Sequence, residues 1–573
     1  MGTLARIAGI MWADIFAYYI LWMMVTYLTE VWKLDFTHAA AIVNIWRGSA
    51  CVLPIAFVYV ADAFVGNFCV LLLTSVSYTL GLGLLWMSTP PVLAKANGNC
   101  NEYKPECIED KQVHLFYAAL ALTSIGMAGH LASLPSFIAE QMENVIGEFF
   151  GNAERLMEGD GVGCWGMCCA TCRPIRGFFL TVMVAMAGLL VVTYVKAWGV
   201  QFGVCALFAL ASLLVYLSGI RSYNYVKPQG SAITLIFRVI FAAFSKIFCR
   251  RPKDSNELHE NRDVTENVAL LPHTNRLRCL DKAAIILREP ELEQQAKNRW
   301  RLCKVTEVEA TKIAICMIPL WMTFIFCGVV SAIGDTYFLE QAKSLNPKVG
   351  RIKVPLIIFL WFYDQARTQF SKYFVQMAAK FIRSSRASYR RYVPPTGVAV
   401  GMVFATLCCI TAALIESRRL GIVKRNGLID KPDARVPMTM FWLLPQFLLL
   451  GGLDGIREWS VSYLVIDQAP VAMIKYFGYF ISSVFGIGMM GSALSVHVVG
   501  KISQAKSGIS WFQSTMNKSR LDKYYWVLAA LSAANLLVYI VVASFYSYKD
   551  AIIEELVEPE YEETEMNLFQ HDL

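Results

Sequence analysis

A few charged or titratable side chains interrupt long apolar stretches of this sequence. Asp14, Arg47 and His130 lie in the first half of the chain, and Asp335 lies in the second. If these stretches cross a membrane, each such group is costly in hydrocarbon unless it faces a cavity or a partner. We therefore expect these side chains to face a polar cavity, where they could bind a solute or move protons.

The composition of the chain predicts a membrane protein. Of its 573 residues, 56% are hydrophobic and 17% are charged, whereas soluble domains usually carry about 25% charged residues. A membrane-spanning helix needs about 20 apolar residues, and the composition excludes a water-soluble fold. Twelve stretches have the required length: 5–28, 38–60, 68–88, 113–138, 177–196, 199–219, 311–338, 353–375, 395–416, 437–456, 470–498 and 523–547.

A long polar stretch separates the twelve predicted spans into two sets of six. It holds 16 Lys/Arg against 9 Asp/Glu, which is typical of a cytoplasmic loop. Two other basic connections between spans fall on the predicted outer side of the membrane, although basic loops are expected on the cytoplasmic side. Within the stretch, 254–275 is predicted to be disordered and 280–304 to form a surface helix. The predicted organisation is an N-terminal six-helix bundle, a cytoplasmic linker, a C-terminal six-helix bundle and an acidic cytoplasmic tail: 1–220, 221–306, 307–548 and 549–573.

Several motifs in both halves resemble those of one transporter family. They are Phe16-Ala-Tyr-Tyr19, Ala61-Asp62 followed by Gly66, Val393-Pro-Pro-Thr-Gly397, Ala413-Leu-Ile-Glu-Ser-Arg-Arg419, Phe441-Trp-Leu-Leu-Pro-Gln446, Gly451-Gly-Leu-Asp-Gly455, Ser507-Gly-Ile-Ser-Trp511 and Leu521-Asp-Lys-Tyr-Tyr-Trp526. These stretches resemble the plant nitrate and peptide transporter family, a branch of the proton-dependent oligopeptide transporters. The resemblance implies an all-α membrane protein with the major facilitator superfamily fold, in which twelve transmembrane helices form two six-helix bundles. It also implies alternating access around a midplane cavity and uptake, often coupled to protons, of nitrate, peptides or other small organic solutes.

Two departures from the family pattern affect proton coupling. Relatives carry a Glu-x-x-Glu-Arg triplet in the first helix, where this chain reads Met11-Trp-Ala-Asp-Ile15, and His130 replaces a fourth-helix Lys. A rise of 1.5 Å per residue places Asp14 about 10 Å and His130 about 12 Å from the predicted helix ends. Because an imidazole changes charge near neutral pH, proton coupling through His130 is one interpretation. The alternative is that both residues only stabilise packing and that coupling is altered or absent.

Three further residues are candidates for contact with the solute. Arg47 could replace the missing arginine of the triplet and bind an anion, or it could form a structural ion pair. Ser331 stands where the nitrate-binding branch of the family has a His, which argues against nitrate. Asp335 could contact a cationic group, or it could lie in water at the outer mouth.

The resemblance also points to aromatic and gating residues. Tyr463 occupies the position of a Glu with which peptide carriers hold the substrate's amino terminus, which argues against ordinary dipeptides. Two first-helix aromatics, Tyr18 and Tyr19, either line the cavity or pack in the core. Asp62 with Gly66 resembles the gating signature of the superfamily. Asp364 resembles the counterpart of this signature in the second half of the chain.

The cysteines give weaker signals. Cys100 and Cys107 lie in a predicted external loop, where a disulfide is as plausible as two free thiols. The cluster from Cys164 to Cys172 is dense enough for a metal, but its place beside a membrane helix is more typical of lipid modification or of inert thiols. We expect no cofactor, no resident metal and no nucleic-acid partner.

The leading prediction is a secondary transporter of a small polar solute, in a plasma or vacuolar membrane. Its partners would be the solute, the lipid bilayer and, if coupling is retained, protons. The alternative is a non-transporting sensor or scaffold that keeps a binding cavity. An enzyme is not expected, because no nucleophile and base occur in a recognisable arrangement. The sequence leaves the substrate and the oligomeric state open.

Overall fold

The computed structural model describes most of the chain. The described residues are 3–90, 110–157, 164–228, 230–249, 259, 277–286, 295, 298, 300–384, 392–431, 434–470 and 473–546. Side chains are described at these positions except for 143–176, 178, 349 and 382–384.

The described residues form twelve helical spans in chain order, in agreement with the predicted number. We number them span 1 to span 12 and use these names below. They are Thr3–Trp22 with Met24–Glu30, Phe36–Val52 with Pro54–Val60, Gly66–Met87, Asp110–Met157, Cys164–Tyr194, Trp198–Leu217, Val305–Met322 with Phe324–Ile333 and Leu339–Ser344, Ile358–Ser384, Val393–Arg425, Leu444–Gln468, Ile474–Ser507, and Leu521–Phe545.

Length and apolarity alone identify fewer spans. In the described part of the chain, seven helices are long and apolar enough to cross a membrane, or eight when the bent pair of span 7 is counted as one. One of the seven, Phe36–Met87, contains both span 2 and span 3. In span 5 the apolar stretch with described side chains is Phe179–Tyr194, which is shorter than a full span, and spans 8 and 10 carry charged residues that line the cavity.

Local breaks in the helices have identifiable causes. Pro54 begins the second helix of span 2, because a proline has no N–H to donate to the preceding turn. A π-helical turn, Ala61–Val65, ends this span, and Gly66 follows with φ of +80°. This left-handed conformation favours glycine, and it allows the chain to turn directly into span 3. The described start of the linker between spans 6 and 7 lies on the same side as this turn, since the Gly230 N–H donates to the Asp62 carbonyl oxygen over 3.0 Å. We call this side the linker face and the opposite side the far face.

Spans 1–6 pack into one bundle and spans 7–12 into a second, and spans 2 and 11 form the main contact between them. Gly48 and Gly486 make this contact possible. A Cβ on either residue would lie 2.6 Å from the carbonyl oxygen of the other, which is closer than real Cβ atoms approach. We call this contact the glycine seam. It joins the two halves near the middle of both spans.

A buried ion pair stabilises the far end of the second bundle. Glu416 and Arg419 lie one turn apart in span 9, and neither side chain is exposed. Arg419 Nη2 donates to Glu416 Oε1 over 2.8 Å, and its Nη1 donates to Asn517 over 2.8 Å. Gln341 Nε2 donates to Glu416 Oε2 over 2.7 Å. The pair therefore connects span 9 to span 7 and to the turn between spans 11 and 12.

Several predicted boundaries were wrong: the helices of spans 4, 5, 9 and 11 extend about nine residues or more beyond the predicted stretches, and spans 8 and 10 are displaced along the chain. The stretch 437–456 begins in a short strand, Val436–Thr439, which pairs in parallel with Leu345–Asn346. The helix of span 10 runs instead over Leu444–Gln468. Span 8 is likewise later than the predicted 353–375, at Ile358–Ser384. Both helices carry charged residues that shorten the apolar run, although some of these charges face the interior.

The linker differs from its prediction. A 14-residue helix that the sequence reading missed, Ala232–Ser245, lies in its first part, and we call it the linker helix. The predicted helix over 280–304 is not continuous: Leu280–Ala284 forms a 3-10 turn, and 285–286 and 302–304 are not helical. Apart from His259, the predicted disordered stretch lies outside the described residues, and so does the acidic tail.

Candidate functional site

A cavity of about 980 Å³ lies between the two bundles. Met142 and Glu458, at its linker-face end, are exposed, whereas Leu21 and Trp22, at its far-face end, are buried. The cavity is therefore open toward the linker face and closed toward the far face. Its charged lining residues, histidine, serine and tyrosines are Asp14, Tyr18, Arg47, Tyr78, His130, Ser331, Asp335, Tyr363, Arg367, Asp454, Arg457 and Glu458.

Asp14 and His130 are in contact on the wall formed by spans 1 and 4. His130 Nδ1 lies 2.9 Å and 3.0 Å from the two carboxylate oxygens of Asp14. Its other nitrogen, Nε2, lies 2.9 Å from Ser75 Oγ, and the Tyr78 ring packs edge-on against the imidazole at 5.1 Å. The predicted common depth of the two residues is confirmed by this contact. His130 is buried, while Asp14 keeps about a third of its side chain exposed, so the carboxylate is the member that faces the cavity.

Arg47 and Asp335 form an ion pair across the two halves at the far end of the cavity. Trp22 Nε1 also donates to Asp335 Oδ1, over 2.6 Å. The interpretation in which Asp335 lies in water at the mouth is wrong, because these two partners enclose its carboxylate. Arg47 lies nearer the far face than Asp14, as predicted, and the acid with which it pairs belongs to the opposite bundle.

Polar contacts between spans 1 and 7 continue beyond this ion pair. Thr29 Oγ1 donates to Glu340 over 3.1 Å and accepts from Lys343 Nζ over 2.8 Å. Lys343 also lies 3.6 Å from Glu30. Together with the Arg47–Asp335 pair, these contacts hold the far face closed.

Span 10 carries a cluster of charged side chains that the sequence patterns did not predict as a site. Asp454 accepts hydrogen bonds from Ser331 over 3.1 Å and from Tyr363 over 2.8 Å. Arg457 Nη2 lies 3.3 Å from Asp454 Oδ1, and the Arg457 guanidinium lies 4.2 Å from the centre of the Phe485 ring. Residues three and four apart share one face of a helix, so the spacing of Asp454, Arg457 and Glu458 was the signal that could have found them.

A second ion pair lies at the open end of the cavity. Arg367 of span 8 donates through two nitrogens to Glu458 of span 10. Both side chains are exposed. Each charged lining residue of the second half therefore has a partner of opposite sign, and Ser331 contributes a hydrogen bond within this set.

Tyr463 lies outside the set of cavity-lining residues. Its ring stacks on Trp459 with 5.4 Å between the ring centres. Span 10 presents the acids Asp454 and Glu458 to the cavity instead, and the exclusion of ordinary dipeptides stays a prediction. Tyr18 lines the cavity, whereas Tyr19 is not among the lining residues and packs against the core.

The gating candidates have different surroundings. Asp62 binds the second half at the linker face: it lies 3.1 Å from Lys475 Nζ and accepts from Tyr476 Oη over 2.6 Å. Gly66 provides the positive-φ residue of the adjacent turn. Asp364 lies in the second turn of span 8, far from the turn between spans 8 and 9, so it is not the structural counterpart of Asp62.

No group of three or more potential metal ligands occurs among the described residues. The side chains of the Cys164 to Cys172 cluster lie outside the described part, as do Cys100 and Cys107. The ten cysteines whose side chains are described are free thiols.

Comparison with known proteins identifies the family. Residues 177–518 match the sequence profile PTR2, described as the POT family. Protein NRT1/PTR FAMILY 5.5 of Arabidopsis thaliana is 36% identical over 547 residues, which cover 95% of this chain and 97% of that protein. This chain belongs to the POT family. Another POT relative, NRT1/PTR FAMILY 5.6 of the same plant, is 31% identical and covers 92% of this chain and 87% of its own length.

Solved structures of the POT family share the fold. An auto-inhibited POT family peptide transporter matches with a TM-score of 0.58 at 13% identity, and the match covers 96% of this chain and 98% of that chain. A POT family transporter in complex with 5-aminolevulinic acid matches with a TM-score of 0.56 at 10% identity, over 95% and 96% of the two chains. The protein is therefore a twelve-span secondary transporter with the major facilitator superfamily fold, and the sensor interpretation is not favoured.

Proposed function

We propose that this POT family member transports a small organic solute with an anionic group, and that the Asp14–His130 pair is its proton site. The observation that carries the proposal is the cavity itself: the Arg457 guanidinium, whose buried Nε has no hydrogen-bond partner among the described residues, lies in the wall of a largely apolar chamber, and a carboxylate–imidazole pair lies on the opposite bundle. Three features of the cavity support this assignment.

The first feature is the free donor of Arg457. Its Nη2 contacts Asp454 over a long 3.3 Å, and its buried Nε has no hydrogen-bond partner among the described residues. Leaving a buried charged donor unpaired is costly. A carboxylate, phosphate or similar group on the solute would satisfy this donor, since a guanidinium binds such groups through two parallel hydrogen bonds.

The second feature is the size and apolar lining of the chamber. A volume of about 980 Å³ is typical of sites for whole organic ligands, and nitrate would fill little of it. Apolar side chains form much of its wall: Met11, Ile15, Met127, Leu131, Leu134, Phe485 and Met489. These walls suit the carbon skeleton of a metabolite. One similar POT structure is in complex with 5-aminolevulinic acid, which is a small organic acid.

The third feature is the contact between Asp14 and His130. Relatives use an acidic triplet and a Lys for coupling, and here a shorter acid contacts an imidazole at 2.9 Å. Protonation of His130 would neutralise the charge of Asp14, which faces the cavity, and Ser75 can exchange a hydrogen bond with the other ring nitrogen. Coupling through this pair would be altered rather than lost.

The proposed orientation places the linker face in the cytoplasm. The basic balance of the linker supports it. In that orientation the structure represents the state open to the cytoplasm. We propose the plasma membrane or the vacuolar membrane as the location, and a fluorescent fusion imaged in plant cells would distinguish the two.

An unbiased uptake and export screen tests the proposal. Oocytes that express the protein would be incubated with a mixture of metabolites, and cell contents and medium would be measured by mass spectrometry. The Arg457→Gln variant should lose about tenfold or more of the flux of the transported solute, because a charge-assisted hydrogen bond contributes about 1.5–3 kcal/mol.

Arg418→Gln is the matched control, since Arg418 is exposed and packs over Trp442 outside the cavity. It should leave the flux unchanged. Flux restricted to cations or neutral solutes, or unchanged in Arg457→Gln, would contradict the assignment. Ligand-induced thermal stabilisation without flux for any solute would support the sensor alternative instead.

A further inference from the structure

The linker helix, Ala232–Ser245, has two faces of opposite character. Residues on one face are buried against the protein: Val239, Ala242 and Ala243. The other face is exposed, although it carries large aromatic side chains. With 100° per residue, Phe237, Phe241 and Phe244 fall within about 60° of one another around the helix axis. Phe244 is 72% exposed, and Phe248, just after the helix, is 100% exposed.

The exposed surface extends beyond these side chains. Ile240 and Ile247 flank the phenylalanines and are also exposed. Trp300, from the end of the linker, packs edge-on against Phe241 with 5.9 Å between the ring centres. We call this surface the aromatic face. Soluble proteins rarely expose a contiguous apolar patch of this kind, and such patches mark interaction sites.

Contacts on the buried face place the linker helix at the end of a membrane span. Val239 and Ala242 pack in one cluster with Val305 and Val308, the first residues of span 7. Arg238 forms an ion pair with Glu307 in the same turn. Because a spanning helix enters hydrocarbon near its ends, a helix that packs on the first turn of a span lies at the level of the bilayer boundary.

The start of the linker helix is fixed where span 2 of the first bundle meets span 11 of the second. Ser231 caps it by accepting a hydrogen bond from the Ile233 N–H over 3.2 Å. Ala232 and Ile233 pack against Val58 of span 2 and Tyr476 of span 11. The linker helix therefore crosses the linker face from the first bundle to span 7, and its orientation is fixed at both ends.

We propose that the aromatic face inserts into the boundary between the lipid headgroups and the acyl chains of the membrane that the twelve spans cross. Amphipathic helices that lie in this boundary bury aromatic and aliphatic side chains about 5–10 Å deep. A lipid surface fits this patch better than a second copy of the chain, because the lipid is continuous with the surroundings of span 7 and is always present at that level. The proposal does not depend on the identity of the transported solute.

Site-specific crosslinking in a bilayer tests the proposal. The full-length protein would carry p-benzoylphenylalanine in place of Phe244 or, in a second preparation, of Phe248, and would be reconstituted into phosphatidylcholine nanodiscs. After irradiation, mass spectrometry would measure the fraction of protein that carries a lipid adduct. The substitution keeps an aromatic ring at an exposed position, and a monodisperse elution profile would show that the fold is retained.

Two control positions calibrate the yield. Tyr373 lies on span 8 and is 63% exposed, and Ile352 lies in the far-face hairpin formed by Lys348–Val349 with Ile352–Lys353 and is 71% exposed. We expect both linker positions to give lipid adducts within about twofold of Tyr373 and about fivefold or more above Ile352. A yield at the level of Ile352 would overturn the proposal. Adducts between two copies of the chain, in place of lipid adducts, would assign the aromatic face to an oligomer interface and would overturn it as well.

Discussion

His130 Nδ1 lies 2.9 Å from Asp14 Oδ1, so an imidazole and a carboxylate on two different spans share one hydrogen bond in the wall of the cavity. His130 is buried on span 4, and Ser75 of span 3 occupies its second nitrogen. The pair therefore connects three spans of the first bundle. A change in its protonation would alter both the charge of the cavity and the packing of these spans.

Replacing His130 should remove the pH dependence of transport. In the wild type, uptake measured at about pH 5.5 and about pH 7.5 should differ, because the proposed coupling carries a proton together with the solute. In His130→Gln the ratio of the two rates should fall to about one, since the amide keeps hydrogen bonding but cannot ionise. His114→Gln, at an exposed position of the same span, should behave like the wild type. A pH response that persists in His130→Gln would place the proton site elsewhere.

Breaking the Arg47–Asp335 pair should destabilise the protein. Asp335→Asn leaves the Arg47 guanidinium at the closed end of the cavity without its counter-charge, at a cost of about 3 kcal/mol. The double variant Arg47→Met/Asp335→Leu leaves no unpaired charge and should recover part of the loss. Thermal unfolding of the purified protein in detergent measures both effects. If Asp335→Asn unfolds at the wild-type temperature, the pair does not hold the two halves together.

The glycine seam should not tolerate a side chain. Gly486→Ala places a methyl group 2.6 Å from the Gly48 carbonyl oxygen, and overpacking of this kind costs about 1–3 kcal/mol. Gly83→Ala is the matched control, because no atom lies within 4 Å of the added Cβ. We expect lower thermal stability and slower uptake for Gly486→Ala, and wild-type stability or better for Gly83→Ala. If the two variants have the same thermal stability and the same uptake rate, spans 2 and 11 move apart easily to admit the methyl group.

Removing Arg419 should be among the most damaging single changes in the second bundle. Arg419→Met leaves Glu416 buried and unpaired, at a cost of about 3–5 kcal/mol. Arg418→Met, at the exposed neighbouring position, should change stability by about 0.5 kcal/mol or less. Expression level and thermal unfolding measure the difference between the two. A stable, well-expressed Arg419→Met protein would contradict the structural role given to this ion pair.

The sequence predicted the number of spans and the level of Asp14 and His130 because both follow from simple geometry. Apolar runs are counted against the bilayer thickness, and depth follows from the helical rise. Arg47 was recognised as a cavity cation for the same reason, since an isolated charge in an apolar run must face a partner.

The charged cluster of span 10 could not be found in this way. Asp454, Arg457 and Glu458 shorten the apolar run, so the predicted span shifted toward its far-face end. Tyr463 was aligned with a substrate-holding residue, whereas the structure places it outside the set of cavity-lining residues. The linker helix was missed because its 14 residues are too few to span a bilayer and lie within a basic stretch. In both cases, the helix is fixed by contacts with distant parts of the chain, and the local composition does not reveal it.

The glycine seam limits how the transporter can move. Where two backbones touch without intervening side chains, the helices have no flexible layer that could stretch, and they can only roll against each other. The contact would then be the pivot, near the middle of the membrane, about which one bundle rotates relative to the other. Rotation about it would separate Trp22 and Arg47 from Asp335 at one face while it brings the Arg367–Glu458 wall toward the first bundle at the other.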